Sequence, residues 1–493
     1  LQVITTQLNG TTLEAFWASI SFMLTVSVSQ PLYVTTSDIL GRRIPLFVAF
    51  FFFGVGAIAF AVAPNMATII AGRALQGLGG GGLDVLSEVI VTDMTSMKER
   101  PLWVGLLSFP MAVGCILGPV VGALFTEYAS WRWLGWYNLP LIGIALPLSF
   151  FFLRLKNLEA SLSSKLRSLD WTGMLLFTIG SMLFALPLSW AGALYPWGSW
   201  RTIVPFIIGI LFLAGFAVYE KFPTQPVYPH RIFGNATAQA TLVGAFLHGA
   251  VLYAALFYLP LYFQAVQLKT PLQAAVLVLP FCIFVVVLSG AAAFMVEASR
   301  KYRWEIWLGW VVLAVGVGPM ALWDAHTSTA ESAGYQVLAG IGIGVLFTVP
   351  TIAMQASAPS VDDQGLAIGV LVSFRLFGGL VGLACAATAF SSTFGGAIGQ
   401  VGKLPESVAF LENPDSAVGY VPYLRELVVE DGLMGEIVGA YAKSLKSIWY
   451  ILAAFAAVGG IASVFLKELS LESEETGRQN FEGVEANRSG HNS

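Results

Sequence analysis

Asp84 and Glu88 stand one helical turn apart in an apolar run long enough to span a bilayer, with Arg73 and Gln76 earlier in the same run. At about 100° per residue, Arg73, Gln76, Gly77, Gly80, Asp84 and Glu88 share one broad helical face. A charge near mid-membrane costs about 2.5 to 3.5 kcal/mol on insertion scales, so such residues face a cavity or a partner. Two like charges so close suit a reversible proton carrier, with Arg73 and Gln76 contributing to proton or substrate coupling. The alternative is a structural ion pair with another helix. Between these polar groups, Gly77, Gly79 and Gly82 match the G-x-G-x-x-G spacing of a dinucleotide loop. That loop needs a strand before it and an acid about twenty positions on. Here Arg73 and Gln76 occupy the place of the strand, so the glycines are read as a surface for close helix approach in lipid.

The elements that must position these residues follow from composition. Of 493 residues, 56% are hydrophobic and 11% charged, against about 25% charged in a soluble domain. Apolar runs of eighteen or more residues recur along nearly the whole chain, each able to cross about 30 Å of hydrocarbon. The chain therefore reads as an all-α polytopic membrane protein. A net charge of −4 gives no sign of a nucleic-acid partner, and no metal-spaced His/Cys cluster appears. Cys115, Cys282 and Cys385 fall in apolar runs and read as small core residues without a disulfide.

The runs suggest thirteen spans, near 15–35, 44–63, 67–92, 101–125, 133–153, 171–191, 203–220, 239–264, 273–295, 304–323, 335–355, 366–390 and 447–466. Arg42, Arg43, Lys98, Arg100, Arg154, Lys165, Arg231, Arg300 and Lys301 lie in loops on one side, which the positive-inside rule makes cytosolic. An internal repeat accompanies this pattern. A shift of 263 residues lays Gly77, Gly79 and Gly81 on Gly340, Gly342 and Gly344, and a shift of 264 lays Gly114 and Gly118 on Gly378 and Gly382. The halves are parallel copies. Under the first shift Arg73 falls on Gln336, Asp84 on Phe347 and Glu88 on Thr351, so the glycines recur and the charges do not. The repeat leaves the first half one span short. The expected organisation is a bundle at 1–154 lacking its first span, a linker with two inserted spans at 155–235, a second bundle at 236–467 and a disordered tail at 468–493. The second bundle carries an exported loop, 391–446, in which 424–446 could form an amphipathic helix. Asn9-Gly-Thr11 is a glycosylation sequon on the exported side, and Asn235-Ala-Thr237 is a chance match.

In the fourth span, Gly114, Gly118 and Gly122 form one stripe for close packing, while Pro119 removes a backbone hydrogen bond and bends the helix. Taken with this stretch, three features resemble the major facilitator superfamily, in particular its fourteen-helix drug:proton antiporter branch in fungi. Ser37-Asp38-Ile-Leu-Gly41-Arg42-Arg43 looks like that family's cytoplasmic loop motif. Arg73-x-x-Gln76-Gly77-x-Gly79 looks like its fourth-helix motif, and Gly114 to Gly122 like its antiporter motif. Trp131-Arg132-Trp133, Asn138-Leu-Pro140, Leu259-Pro260-Leu-Tyr262-Phe263-Gln264 and Phe374-Arg375-Leu-Phe-Gly378-Gly379 extend the likeness over essentially the whole chain. The resemblance implies a cytoplasmic gate made of Asp38, Gly41, Arg42, Arg43 and Asp93. The chain departs from the motif at Val34, where the family usually has Gly, and at Lys301, which aligns with Gly41. Asn138, His248, Tyr262, Gln264 and Arg375 are cavity candidates, Arg375 more as a helix bridge than as a substrate contact, and His248 equally readable as a satisfied buried histidine.

The resemblance implies two six-helix bundles plus an inserted pair, and proton-coupled export of a lipophilic drug, toxin or secondary metabolite. It implies no cofactor beyond the proton gradient, a monomer, and a plasma, vacuolar or vesicular membrane. Import of an iron chelate, amino acid or other nutrient is the alternative within this class. A non-transporting sensor or an inactive truncated remnant is the alternative outside it. No nucleophile–base pair or metal set in the spans points to an enzyme.

Overall fold

The computed structural model describes residues 4, 7, 8, 12–155, 162–191, 195–401, 404–414, 417–427, 429 and 431–473. The sequon at Asn9, the tail from 474 on and the side chains of Cys115 and Pro119 lie outside the described set. The described residues build helices joined by short turns. In the first half these are α1 (Thr12–Leu40), α2 (Arg43–Ala61), α3 (Met66–Met94), α4 (Arg100–Tyr128), α5 (Trp133–Trp136) and α6 (Asn138–Phe152). A short α7 (Leu162–Ser168) leads into the inserted pair, α8 (Trp171–Trp190) and α9 (Trp200–Tyr219). The second half holds α10 (Ala236–Ala265), α11 (Pro271–Leu277), α12 (Leu279–Ser299), α13 (Arg303–Val317), α14 (Thr329–Ala356), α15 (Gln364–Ile398), α16 (Ala417–Tyr420) and α17 (Asp431–Ser463). Among the described residues, ten spans are long and apolar enough to cross a membrane. Helices α1, α3 and α4, at 29 residues each, match them in length.

Local chemistry sets the helix starts. Asn65, Asp170, Asn235 and Ser328 each accept an amide of their own first turn, and Thr270 with Gln273 completes a reciprocal capping box. Asn235 thus serves as a helix cap, which accounts for its place in a chance sequon. Two helices outrun their expected spans: α15 continues to Ile398, and α17 fuses the amphipathic stretch from Asp431 with the last apolar run. No proline interrupts 431–463, so nothing divides the two.

The glycines decide how the helices pack. A Cβ on Gly77 or Gly81 would strike the backbone of α1 at Phe22 or Val26, and one on Gly79 would strike α2 at Ala49 and Phe53. The second half repeats this register. Gly340 and Gly344 meet α12 at Phe281 and Val285, while Gly342 meets α13 at Leu313. One helix thus presses two neighbours in each half, which is the close approach that small residues permit in lipid. In contrast, a Cβ on Gly114 or Gly118 would meet no described atom within 4 Å, and Gly122 has only Leu134 at 4.0 Å. The halves join where α1 and α3 pack on α15 and where α4 packs on α12. The inserted pair packs on itself and, through α8, on α1 and α15.

Candidate functional site

On the side that carries the basic loops, the turn after α1 is made by Gly41, the glycine with a left-handed backbone (φ 93°). It lets Arg42 fold back under α3. Arg42 donates to Asp93 Oδ2 at 2.7 Å, to Ser37 Oγ at 2.8 Å and to Asp38 Oδ1 at 3.3 Å, and is almost fully buried. Arg43 turns the other way, donating to the Phe150 carbonyl at 2.9 Å and lying over the Phe150 ring. Four of the five expected gate residues therefore meet, and Arg43 tethers α6. In the second half, Arg300 takes the left-handed conformation (φ 54°) at the end of α12, one residue before the position that aligns with Gly41.

Two contacts seal the halves together on this side. Gly365 of α15 sits against Arg42 and Val89, where a Cβ would lie 3.3 Å from Arg42 Nη2. Arg100, fully buried at the start of α4, donates Nη1 to Gln355 Oε1 at 2.9 Å and to Gln364 Oε1 at 3.0 Å. Its remaining donors go to Thr92 and Thr95. Arg100 was not singled out by its spacing. The signal available was an arginine before a proline, seven residues after Asp93, and its partners lie far away in sequence.

Deeper in the molecule the repeat becomes a site. Asp84 Oδ2 accepts from Gln30 Nε2 of α1 at 2.7 Å, and Asp84 is solvent-accessible although it lies deep within the bundle. Glu88 lines a cavity of about 40 Å³ together with Val104, Leu107, Phe347, Thr348 and Thr351, which has room for a water or two. Its Oε2 is buried with no partner among the described residues. Phe347 and Thr351 are the positions that the repeat aligns with Asp84 and Glu88, so equivalent positions of the two halves meet at the seam. Behind Phe347 lies Arg375 of α15. Its guanidinium donates to the Phe347 carbonyl at 2.8 Å and lies 4.1 Å from the centre of the Phe347 ring. Arg375 is within electrostatic reach of both Glu88 and Asp84, without a direct ion pair to either. His248 of α10 completes the cluster: Nε2 bonds the Ile343 carbonyl at 3.1 Å, the ring lies 5.9 Å from that of Phe347, and Nδ1 is buried without a partner. Two acids from one half thus lie within electrostatic reach of a guanidinium from the other, with the His248 imidazole beside that guanidinium and the Phe347 ring.

The remaining candidates lie elsewhere. Arg73 is about 16 Å up α3 from Asp84, bonded to Gln76 at 3.3 Å and stacked on Phe22 at 4.4 Å. With Gln76 and Asn138 it lines a separate hollow of about 360 Å³ walled by Phe22, Phe53 and Tyr137. Tyr262 donates to the Asp324 carbonyl at 2.8 Å and packs on Trp323, in an aromatic cluster at the far end of α10. Among the described residues, Gln264 bonds within its own helix, to the Pro260 carbonyl. Gln30, by contrast, belongs to the site although its only mark in the sequence was a polar side chain before Pro31.

Comparison with known proteins agrees with this geometry. The Major Facilitator Superfamily profile matches residues 1–383. The "MFS-type transporter sphD" of Aspergillus fumigatus is 46% identical over 485 residues, covering 98% of this chain and 84% of that protein. The "Acurin A biosynthesis cluster MFS-type transporter" of Aspergillus aculeatus is 34% identical, with 93% and 83% covered. "Efflux pump FUS6" of Gibberella moniliformis is 32% identical, with 96% and 84% covered. Among solved structures, the proton:xylose symporter XylE superposes with a TM-score of 0.56 at 12% identity, covering 96% of this chain and 91% of that one. The human organic anion transporter MFSD10 superposes with a TM-score of 0.55 at 15% identity, covering 90% and 83%. At these identities the structures speak for the fold, and the sequence matches speak for the family. The chain is a multi-pass membrane transporter that belongs to the major facilitator superfamily, of the fungal efflux-pump type.

Proposed function

We propose that this chain exports a small, lipophilic organic compound, a drug, toxin or secondary metabolite, in exchange for protons by alternating access. Asp84 and Glu88 carry the protons, and Arg375 is their counter-ion in the opposite half. The observation that carries the reading is that Glu88 shares a cavity with Phe347 and Thr351 across the seam, with Arg375 in electrostatic reach of both acids. A carboxylate held by a cation in one conformation and released in another can take up a proton from one side and give it to the other. Arg100 and the Arg42–Asp93 pair hold the cytosolic side shut, the conformation in which cargo leaves toward the exported side. The relatives named for efflux and for a biosynthetic cluster support a secondary metabolite as cargo. The proton gradient is the only energy source required, the working unit is one chain, and the membrane is the plasma membrane.

The decisive experiment reconstitutes the chain in vesicles with an imposed pH gradient and follows a fluorescent lipophilic drug. Gradient-dependent extrusion supports export. Drug movement in the same direction as the protons would indicate nutrient-type import, and no effect on any compound would indicate a sensor or remnant.

A further inference from the structure

A second carboxyl pair lies away from the centre, at the ends of α8 and α9 on the side of the basic loops. Asp170 caps α8, its Oδ1 accepting from the Gly173 amide at 2.9 Å and from the Tyr219 hydroxyl at 3.1 Å. Glu220 follows α9, its Oε2 accepting from the Tyr228 amide at 2.9 Å. The other oxygen of each, Asp170 Oδ2 and Glu220 Oε1, is buried without a partner, and the two residues are 7% and 3% exposed. Both oxygens point at one spot. A Cβ on Gly173 would run into Asp170 Oδ2 and lie 2.8 Å from Glu220 Oε1, so the missing side chain at 173 is what lets the carboxyls converge.

Two ionised carboxylates are badly placed in such a pocket, because each unpartnered anion keeps its desolvation cost and repels the other. A single shared proton removes both difficulties: one carboxyl becomes the donor to the free oxygen of its neighbour. Asp170 is the charge that acts on Glu220, with no described cation opposing it. Lys221 and Arg167, the nearest bases along the chain, are exposed, and the bordering phenols are those of Tyr219 and Tyr228.

What the pair holds in place is the segment 221–229. Val227 is buried among Phe177 of α8, Phe216 of α9, Leu32 of α1 and Phe377 of α15, and its carbonyl accepts from Thr35 Oγ1 at 3.5 Å. The segment therefore spans from the inserted helices to the seam between the two halves. We propose that Asp170 and Glu220 form a proton-binding site, distinct from the central acids, that clamps the inserted pair and the segment 221–229 onto this seam. Its occupancy sets how firmly the inserted helices are coupled to the two moving halves.

The sign of the pH dependence follows. Burial pushes the Glu220 carboxyl up from 4.5 to about 7, the Tyr228 amide opposing this and Asp170 adding to it. A carboxyl raised in the clamped state contributes its full stabilisation below about 4.5, loses it as pH climbs, and has none left above about 7.

Hydrogen exchange of the segment 221–229 in the full chain, held in lipid nanodiscs and corrected for the intrinsic rate, tests the clamp without any cargo. Protection should fall about tenfold between pH 6 and pH 8. Glu220→Gln, which keeps an acceptor for the Tyr228 amide but cannot ionise, should hold protection level over that range. Asp170→Asn keeps the helix cap and should move the midpoint down. Protection independent of pH in the unmodified chain, an unchanged pH dependence in Glu220→Gln, or an unmoved midpoint in Asp170→Asn each overturns the shared proton. Because the readout is exchange, failure of the export assay leaves this result standing.

Discussion

Arg100 of the first half reaches Gln355 of the second over 2.9 Å, and both side chains are buried. The same guanidinium nitrogen also reaches Gln364, so one residue at the start of α4 spans to the end of α14 and the start of α15. Arg100→Ala leaves two buried amides unpaired, at about 1 to 3 kcal/mol each. The cytosolic side should open, raising the inward-facing population at least tenfold. Spin labels placed on the loops after α3 and α14 would report this as a longer distance. An unchanged distance distribution would show that the bond is incidental to closure.

Asp84→Asn tests the centre with little risk to folding, because the Asn carbonyl can still accept from Gln30 Nε2, now bonded at 2.7 Å. The variant should insert, run as a monodisperse species and lose proton-driven transport at least tenfold. Full transport at any imposed gradient would remove Asp84 from the mechanism.

The two neighbouring arginines of the loop after α1 should behave differently. Arg42→Ala strands Asp93, which is 4% exposed and accepts from Arg42 at 2.7 Å, and breaking such a buried pair costs about 3 to 5 kcal/mol. Arg43→Ala removes a half-buried side chain bonded to one carbonyl and lying over the Phe150 ring, and should stay within about 1.5 kcal/mol of the parent. Thermal unfolding in detergent ranks the two, and equal losses would show that the motif acts as a whole.

The glycine register makes a prediction in both halves. Gly79→Ala and Gly342→Ala drive a methyl into backbone atoms of α2 and α13 and should each cost about 1 to 3 kcal/mol or more. Gly334→Ala, where nothing lies within 4 Å, should gain up to about 1 kcal/mol from helix propensity. Yields of correctly eluting protein and melting temperatures separate the cases. A tolerated alanine at 79 would mean that α2 and α3 are not held at this distance.

Helices and their packing surfaces were readable because both are local properties. The run Gly77 to Gly82 announces a face without side chains, and the equivalent run at Gly340 to Gly344 announces it again. Helix ends were less readable, since α15 and α17 carry on past the hydrocarbon into polar sequence where neither proline nor a change of period marks a stop. The site was half readable. Asp84, Glu88 and Arg375 stand out as charges in apolar runs, but nothing local says that Arg375 lies behind Phe347 or that Gln30 donates to Asp84. Arg73 and Asp84 share a helix face, yet a separation of 11 residues leaves Asp84 outside the hollow that Arg73 lines. Arg100 and the pair Asp170 and Glu220 depend on partners 255 and 50 residues away, which no short motif records.

The replacement of a second acid by Phe347 has a stoichiometric meaning. If both halves carried the carboxyls of the first, four anions would surround the centre and Arg375 could balance only one of them. With Phe347 and Thr351 in the equivalent places, the centre holds two carboxyls where a full repeat would hold four. On the proposed mechanism, in which these two carboxyls are the proton carriers, the ceiling is two protons per turnover, and the steepest gradient of an uncharged cargo is the square of the proton electrochemical ratio, membrane potential included.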